Sequence, residues 1–508
     1  MVFETATARR SILKGLGALV VGASLPAKAQ QLLADPGVEL HPLPRVLSKG
    51  AWSDLARALT GDLVLPNDAY FGNYSQVNNL SYSQRPAAIA RCQNDADVSA
   101  CLKWAQNTNT PFAVRSGGHN YAGFSTTSGL LIDMSPMAKI KVDGDRVIIQ
   151  GGTINVAVYR ALERMGRTIT HGRCEGVGAA GFLLGGGVGF NMRRYGIGSD
   201  LLRSTDLVLA GGEKVTASAT TNPKLLWACQ GGGGGNFGVN TSFTLQTYDV
   251  KSVTVFILTW SKNQERVLYE LLHRLQEAPT SFGCKINVTP PTPEQRAQGN
   301  DLVVSVMGQI HTGTKGTPSL KELFGNLLEQ ADHPRQIETD LPYWEGQDFL
   351  SEEAFPYFYR EQSVFLKTAD LTEKAVADMM AAARAMPGTS MPSSFKFFQV
   401  GGEVNKVKPT DTAFVHRGFD WLFSSEVNWW ELRDPPSLVS DNLVWQQQFY
   451  DSVRRLTPMG GAYQNFPDPA LKDWQSAYYA ENYGDLQKVK RDVDPGGLFK
   501  FAQAIKPA

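Results

Sequence analysis

Two side chains able to form covalent bonds each lie in a glycine setting of their own: His119 in Arg115-Ser-Gly-Gly-His-Asn120, and Cys174 in Cys174-Glu-Gly-Val-Gly178. In the first, Gly117 and Gly118 let backbone N–H groups approach an anion, and Arg115 can add charge-assisted hydrogen bonds. The second runs on through Gly185-Gly-Gly-Val-Gly189 to Arg193 and Asp200, with ten glycines between positions 171 and 200. So dense a run marks a backbone that closely approaches something. It is neither a dinucleotide-type GxGxxG between strand and helix nor a phosphate loop ending in Gly-Lys-Ser/Thr, so the glycines serve some other cradle. A third group, Tyr478-Tyr479-Ala-Glu-Asn482-Tyr483, offers phenols near the C-terminus. A phenol has a reference pKa near 10 and serves as a base only beside a cation or a hydrogen-bond donor. Lys396, Arg360 and Tyr359 are the candidate neighbours.

Metal chemistry is a poor fit. One histidine and one cysteine fall short of the four ligands of a structural zinc, and His41, His171, His273, His311, His333 and His416 are scattered. Five cysteines are an odd number, and Cys92, Cys101, Cys229 and Cys284 read as small buried hydrophobes.

The elements that must position these residues alternate. An extended segment at 86–91 leads into an amphipathic helix at 96–106, a strand at 111–115 that delivers the His119 loop, and a buried strand at 130–133. Strands follow around the Asp143-Gly144 turn, then a helix at 156–165 and a strand pair turned at Gly211-Gly212. Five glycines at 231–235 close into Asn236-Phe-Gly238-Val239, and 244–247 reads as an edge strand. From about residue 252, strands at 253–259, 303–309 and 394–401 alternate with helices at 264–277, 320–330 and 373–386, a sheet with one face covered by helices. A helix at 483–492 stops at Asp494-Pro495.

With these motifs in place the chain resembles the berberine-bridge-enzyme-like branch of the vanillyl-alcohol-oxidase superfamily of FAD-linked oxidases. The likeness covers about residues 80–250 and 460–508, and the middle only loosely. It implies an α+β fold, with a PCMH-type FAD-binding domain of two α+β subdomains and an α/β substrate domain whose antiparallel sheet is covered by helices. The resemblance implies FAD held covalently at His119, through the flavin 8α-methyl, and at Cys174, through a 6-S bond. It further implies cofactor contacts from Arg115, Ser116, Gly117, Gly118, Asn120, Gly123, Val177, Gly178, Gly181, Gly186, Gly187, Gly189, Gly238, Val239 and Asn482, with Tyr478 as the base and Tyr479 beside it. A small valine at Val177 matches the oxygen-reactive members, so an oxidase is expected. It would take a hydride from an alcohol, sugar or phenol at flavin N5 and reduce oxygen to hydrogen peroxide. A dehydrogenase with another acceptor, and a flavin or ligand binder without catalysis, are the alternatives.

Composition frames this reading. The 508 residues hold 49 basic and 49 acidic side chains and are 42% hydrophobic, an ordinary globular balance without the clustered basic charge of a nucleic-acid binder. Residues 8–14, Ala-Arg-Arg-Ser-Ile-Leu-Lys, precede an apolar run at 15–25 and the small-x-small pattern Ala27-Lys28-Ala29, which looks like a twin-arginine export signal. The run is too short to span a bilayer. The expected organisation is a signal at 1–29, an FAD-binding domain at 30–250, a substrate domain at 251–465 and a C-terminal segment at 466–508 that returns to the first domain. The expected partners are a small-molecule substrate, oxygen and the export machinery, with a periplasmic or extracellular location.

Overall fold

The computed structural model describes residues 49–82, 84–313, 316–352 and 355–508. The twin-arginine segment expected at 8–29 lies outside the described residues.

Three sheets carry the architecture. The first has the order Asp62–Val64, Ala88–Arg91, Leu130–Asp133, Phe112–Arg115. Its last three strands are parallel, because the helix Asp95–Thr108 makes the crossover between the second and the fourth. That helix starts at Asn94, whose side chain accepts the Asp97 N–H, and it buries Val98, Cys101, Leu102 and Ala105 against the sheet. The second sheet is antiparallel, in the order Ile140–Asp143, Arg146–Gln150, Val239–Gln246, Leu202–Val208, Lys214–Ser218. The segment expected as an edge strand at 244–247 is thus the end of a central strand, paired on both sides.

The third sheet has seven antiparallel strands: Gln336–Pro342, Ser252–Trp260, Val303–His311, Phe282–Thr289, Ser394–Gln399, Trp421–Trp429 and Phe358–Leu366. Helices Gln264–Leu275, Glu373–Arg384 and Pro436–Arg454 lie on one face, over a core that includes Leu268, Phe324, Met380, Phe397, Phe423 and Phe449. The opposite face packs on the glycine-rich loops of the second sheet's unit. A Cβ at Gly283 would stand 2.1 Å from the Phe190 carbonyl oxygen, so only glycine lets the two backbones meet there. Both faces are therefore covered, not one, and every residue of Trp421–Trp429 is buried. After this sheet the chain returns to the first two. Lys490 Nζ, itself paired with Asp494, donates to the carbonyls of Asn236 and Phe499, and the Ile505 N–H donates to Asn236 Oδ1.

Candidate active site

The strand Phe112–Arg115 ends in the loop 116–120, and the Cys174 loop lies against it. Cβ atoms built at Gly117 and Gly178 would stand 2.2 and 2.3 Å from the other loop's backbone nitrogen, so the two glycines clamp the His119 and Cys174 loops together. His119 lies against the Cys174 loop: its Nε2 is 3.2 Å from where a Cβ on Gly176, two residues along the chain from Cys174, would stand. Burial alone pushes the His119 imidazole down to about 4, so the ring is neutral at pH 7 with a free lone pair. Burial and the Glu352 carboxylate push the Cys174 thiol up, while Arg173, Lys285 and Lys396 pull it back.

These loops form one wall of a cleft of about 2180 Å³, more than twice the ~300–1,000 Å³ of an ordinary small-molecule pocket. Lys285, Glu361, Lys396, Phe398 and Tyr359 line it from the large sheet. The register explains why they converge: Lys285 lies opposite Phe398, Lys396 opposite Ser424, and Glu361 opposite Glu426, so all project from one face. The charges are interlinked. Glu352 pairs with Arg173 and Lys285, each at 2.7 Å, and Lys396 pairs closely with Glu426 and lies 3.8 Å from Glu361. Beside them Tyr359 meets Tyr121 edge to face and Tyr357 at a tilt, with Phe466 against Tyr121.

Ser116, Gly117, Gly118, His119, Asn120, Gly123, Cys174, Val177, Gly178, Gly181, Gly189, Gly238 and Val239 all line this cleft, as do Tyr478 and Tyr479. Four expected contacts do not. Arg115 pairs with Asp133 at 3.4 Å and donates to the Gln76 carbonyl at 3.3 Å, which fixes the base of the loop. Gly186 and Gly187 lie behind the wall, where a Cβ would meet Phe414 and Phe182. Asn482 donates to the Pro409 and Thr412 carbonyls at 2.8 and 3.1 Å, a clamp on that loop rather than a cofactor contact.

The tyrosines also differ from expectation. The Tyr478 hydroxyl accepts the Asp468 N–H and donates to Gln503, and burial together with the Asp468 carboxylate holds the phenol well above its usual range. Lys396 and Tyr359 are not its partners: they bind Glu426 and Asn78. Arg360 reaches it only through Asp468. Tyr479 donates to the Gly232 carbonyl. Tyr463, which sequence reasoning missed, also lines the cleft, and its oxygen receives three N–H groups, from Gly187 at 2.8 Å, Val188 at 3.3 Å and Asn465 at 3.1 Å. Burial pushes this phenol up to about 12, with those donors pulling against it. Of the charged wall, Lys396 was singled out, but as a neighbour of Tyr478, and Lys285, Glu352 and Glu361 were missed. For Lys285 and Glu361 the signal is a charged residue in the middle of a strand run, such as Lys285 in Gly-Cys-Lys-Ile-Asn.

The residues fit FAD. Ser116 Oγ is buried without a hydrogen-bond partner, and Gly181 leaves bare wall, with nothing within 4 Å of where its Cβ would stand. Residues 86–218 match the FAD binding domain family and residues 462–506 the berberine and berberine-like family. The chain is 31% identical over 460 residues to YgaK of Bacillus subtilis, an uncharacterised FAD-linked oxidoreductase, across 88% of this chain and 97% of that one. It is 28% identical over 467 residues to the chitooligosaccharide oxidase of Gibberella zeae, across 87% and 92%. The fold superposes with a TM-score of 0.79, at 21% identity and over 90% of this chain and 99% of the other, on a glucooligosaccharide oxidase from Acremonium strictum with a 6-S-cysteinyl, 8α-N1-histidyl FAD. The chain belongs to the berberine-bridge-enzyme-like FAD-linked oxidases of the PCMH-type superfamily. It is an FAD-dependent oxidoreductase of the oxidase type.

Proposed function

We propose that the protein is an exported oxidase with FAD bound covalently at both His119 and Cys174, acting on a sugar or another alcohol or phenol and using oxygen as acceptor. One observation carries the reading: a neutral imidazole and a thiol, on two loops clamped by Gly117 and Gly178, stand together in a cleft large enough for a dinucleotide. The flavin, when bound, accepts a hydride and passes the electrons to oxygen. The remaining work belongs to the chain. Tyr121, Tyr357, Tyr359 and Phe466 offer aromatic surface on which sugar rings stack, and the names of the oligosaccharide oxidases among the relatives favour that class. Tyr463 is preferred to Tyr478 as the group that takes the proton from the substrate hydroxyl. Three N–H donors on its phenolic oxygen favour the charged form and work against the burial that pushes the phenol up to about 12, whereas the Asp468 carboxylate adds to burial at Tyr478. Export folded, with cofactor in place, fits the Arg9-Arg10 segment.

The first test is to denature the purified protein in acid and map flavin mass onto the peptides holding His119 and Cys174. Flavin joined to both is expected; flavin left in the supernatant overturns the covalent reading. Cellobiose, xylobiose and chitobiose are then assayed for peroxide release. Anaerobic bleaching without peroxide in air points instead to a dehydrogenase. For the sugar that turns over, Tyr463→Phe should lower kcat by about 10²–10⁴-fold, the usual worth of a general base, and Tyr478→Phe by far less. The reverse order restores Tyr478.

A further inference from the structure

The segment that carries Cys174 is held from behind by a buried chain of hydrogen bonds that the oxidation itself does not use. His171 Nδ1 donates to the Gly172 carbonyl at 2.8 Å, which leaves Nε2 to accept the Tyr343 hydroxyl at 2.7 Å. The Tyr343 oxygen accepts Asn191 Nδ2 at 2.6 Å. Asn191 Oδ1 accepts from Gln309 Nε2 at 2.7 Å and from His311 Nε2 at 2.9 Å, and Gln309 Oε1 accepts from Gln347 at 2.9 Å. Every one of these side chains is buried. With these tautomers and amide orientations every donor in the chain has an acceptor, and Asn191 Nδ2 also donates to the Ile169 carbonyl at 3.0 Å, which ties the chain to the backbone just ahead of His171. Burial keeps both imidazoles neutral, His171 at about 4 and His311 at about 3, so neutral pH does not disturb it. The rings add shape: Trp344 stacks on His171 with centroids 5.1 Å apart, and Tyr343 on His311 at 5.5 Å.

The chain joins parts far apart in sequence. His171 lies three residues before Cys174. Gln309 and His311 come from the strand Val303–His311, on the same face as Lys285 because Lys285 pairs with Met307. Tyr343 and Gln347 come from the helix Tyr343–Phe349. From the other side Tyr159 donates to the Gly172 carbonyl at 2.5 Å and Asn155 to the Cys174 carbonyl at 3.3 Å. The backbone leading into Cys174 is thus gripped between its own unit and the large sheet.

We infer that His171, Tyr343 and Asn191 are positioning residues for the Cys174–flavin bond, which completes only when the large sheet has docked and set the sulfur in place. The inference rests on the bicovalent reading above. In the step, the Cys174 S–H and the flavin C6–H bonds break and the S–C6 bond forms; two electrons and two protons leave with oxygen as hydrogen peroxide. Such a bond needs the sulfur within reach, and about 1 Å of misplacement can cost about 10²-fold in rate. Among the described residues no hydrogen bond joins His119 to this chain, and its loop meets the Cys174 loop at the Gly117–Gly178 contact on the far side of Cys174, so its attachment should depend on the chain far less than that of Cys174.

The experiment expresses the full-length protein as wild type, Tyr343→Phe, His171→Gln and Trp344→Phe, and measures flavin mass on the His119 and Cys174 peptides together with the thermal midpoint. Tyr343→Phe keeps the ring and removes the hydroxyl, so the Cys174-linked fraction should fall by about tenfold or more after equal times, while the His119-linked fraction stays that of the wild type. His171→Gln retains an acceptor for Tyr343 and a donor for Gly172, and should recover most of the Cys174 linkage. Trp344→Phe weakens the stacking on His171 and removes the indole donation to the Arg167 carbonyl, but leaves the hydrogen bonds of the chain itself in place, and should leave both linkages intact. Full Cys174 linkage in Tyr343→Phe overturns the inference alone. Equal loss at both peptides with a lowered midpoint, matched by Trp344→Phe, shows a merely structural role and overturns it too. Wild-type flavin on His119 only overturns the bicovalent reading and the inference with it.

Discussion

Glu361 projects into the cleft with neither carboxylate oxygen hydrogen-bonded and Lys396 Nζ 3.8 Å away. Burial raises its pKa, the facing Glu426 adds to that, and Lys396, Ser424 and Lys285 oppose it, leaving the carboxyl at about 7. The folded value lies above the ordinary 4.5, so between those values the native state holds more protons than the unfolded one, and stability falls as pH rises through that window. A rise from 4.5 to about 7 corresponds to at most about 3 kcal/mol. Glu361→Gln removes this dependence. At pH 5 the variant and wild type should melt close together, and at pH 8 the variant should melt higher, by calorimetry of the flavin-loaded protein. A gap that does not widen between those pH values means that Glu361 stays ionised in the fold. The same titration makes this part of the wall a neutral donor in acid and an anionic acceptor in base, so substrate hydroxyls meet a different partner on each side of neutrality.

At the scale of elements, what could be read from the chain and what could not divides along a physical line. Helices with one wet face were legible: Gln264–Leu275 buries Val267, Leu268, Leu271, Leu272 and Leu275 at helical spacing, and Glu373–Arg384 starts at a Thr372 cap that accepts the Ala375 N–H. The helix expected at 320–330 is two, Leu320–Phe324 and Asn326–Gln330, broken at Gly325, whose φ of 54° a side chain rarely adopts. The strands Phe358–Leu366 and Trp421–Trp429 were not predicted because both of their faces are covered, which blurs the alternation that marks a strand. Phe282–Thr289, also passed over, keeps it, with Phe282, Cys284, Ile286 and Val288 alternating with Gly283, Lys285, Asn287 and Thr289, and was legible in the sequence. With them went the charged half of the site, since Lys285, Glu361 and Glu426 sit on those strands. His119 and Cys174 were visible because close backbone approach demands glycine, and glycine shows in a sequence. Which of several C-terminal tyrosines reaches backbone donors does not show: Tyr478 sits on the short helix Trp474–Tyr479 and bonds into its own segment, whereas Tyr463 meets N–H groups nearly 280 residues earlier.

At the scale of the molecule, the cleft is a seam, and its integrity depends on how firmly the large sheet sits on the flavin-binding loops. Arg417 crosses that seam. Its guanidinium bonds both oxygens of Asp200 at 2.7 and 2.9 Å and the Val404 carbonyl at 3.1 Å, and its side chain is 2% exposed. Nearby, Arg193 donates to the Ala278 carbonyl at 2.6 Å, and Gly402 brings its backbone against the Arg193 carbonyl. An interface this buried and specific leaves neither side a stable surface of its own, so the two parts should unfold as one. Replacing Arg417 by Met keeps much of the stem's packing and strands the Asp200 carboxylate. Removing one partner of a buried pair costs about 3–5 kcal/mol, more than the pair itself adds over an apolar contact. Arg417→Met should therefore lower the single calorimetric transition by several degrees, with flavin fluorescence rising at the same temperature as the heat is absorbed. Two resolved transitions, or fluorescence that rises well before the heat absorption, would mean that the sheet and the flavin-binding loops part independently and that the cleft opens without unfolding.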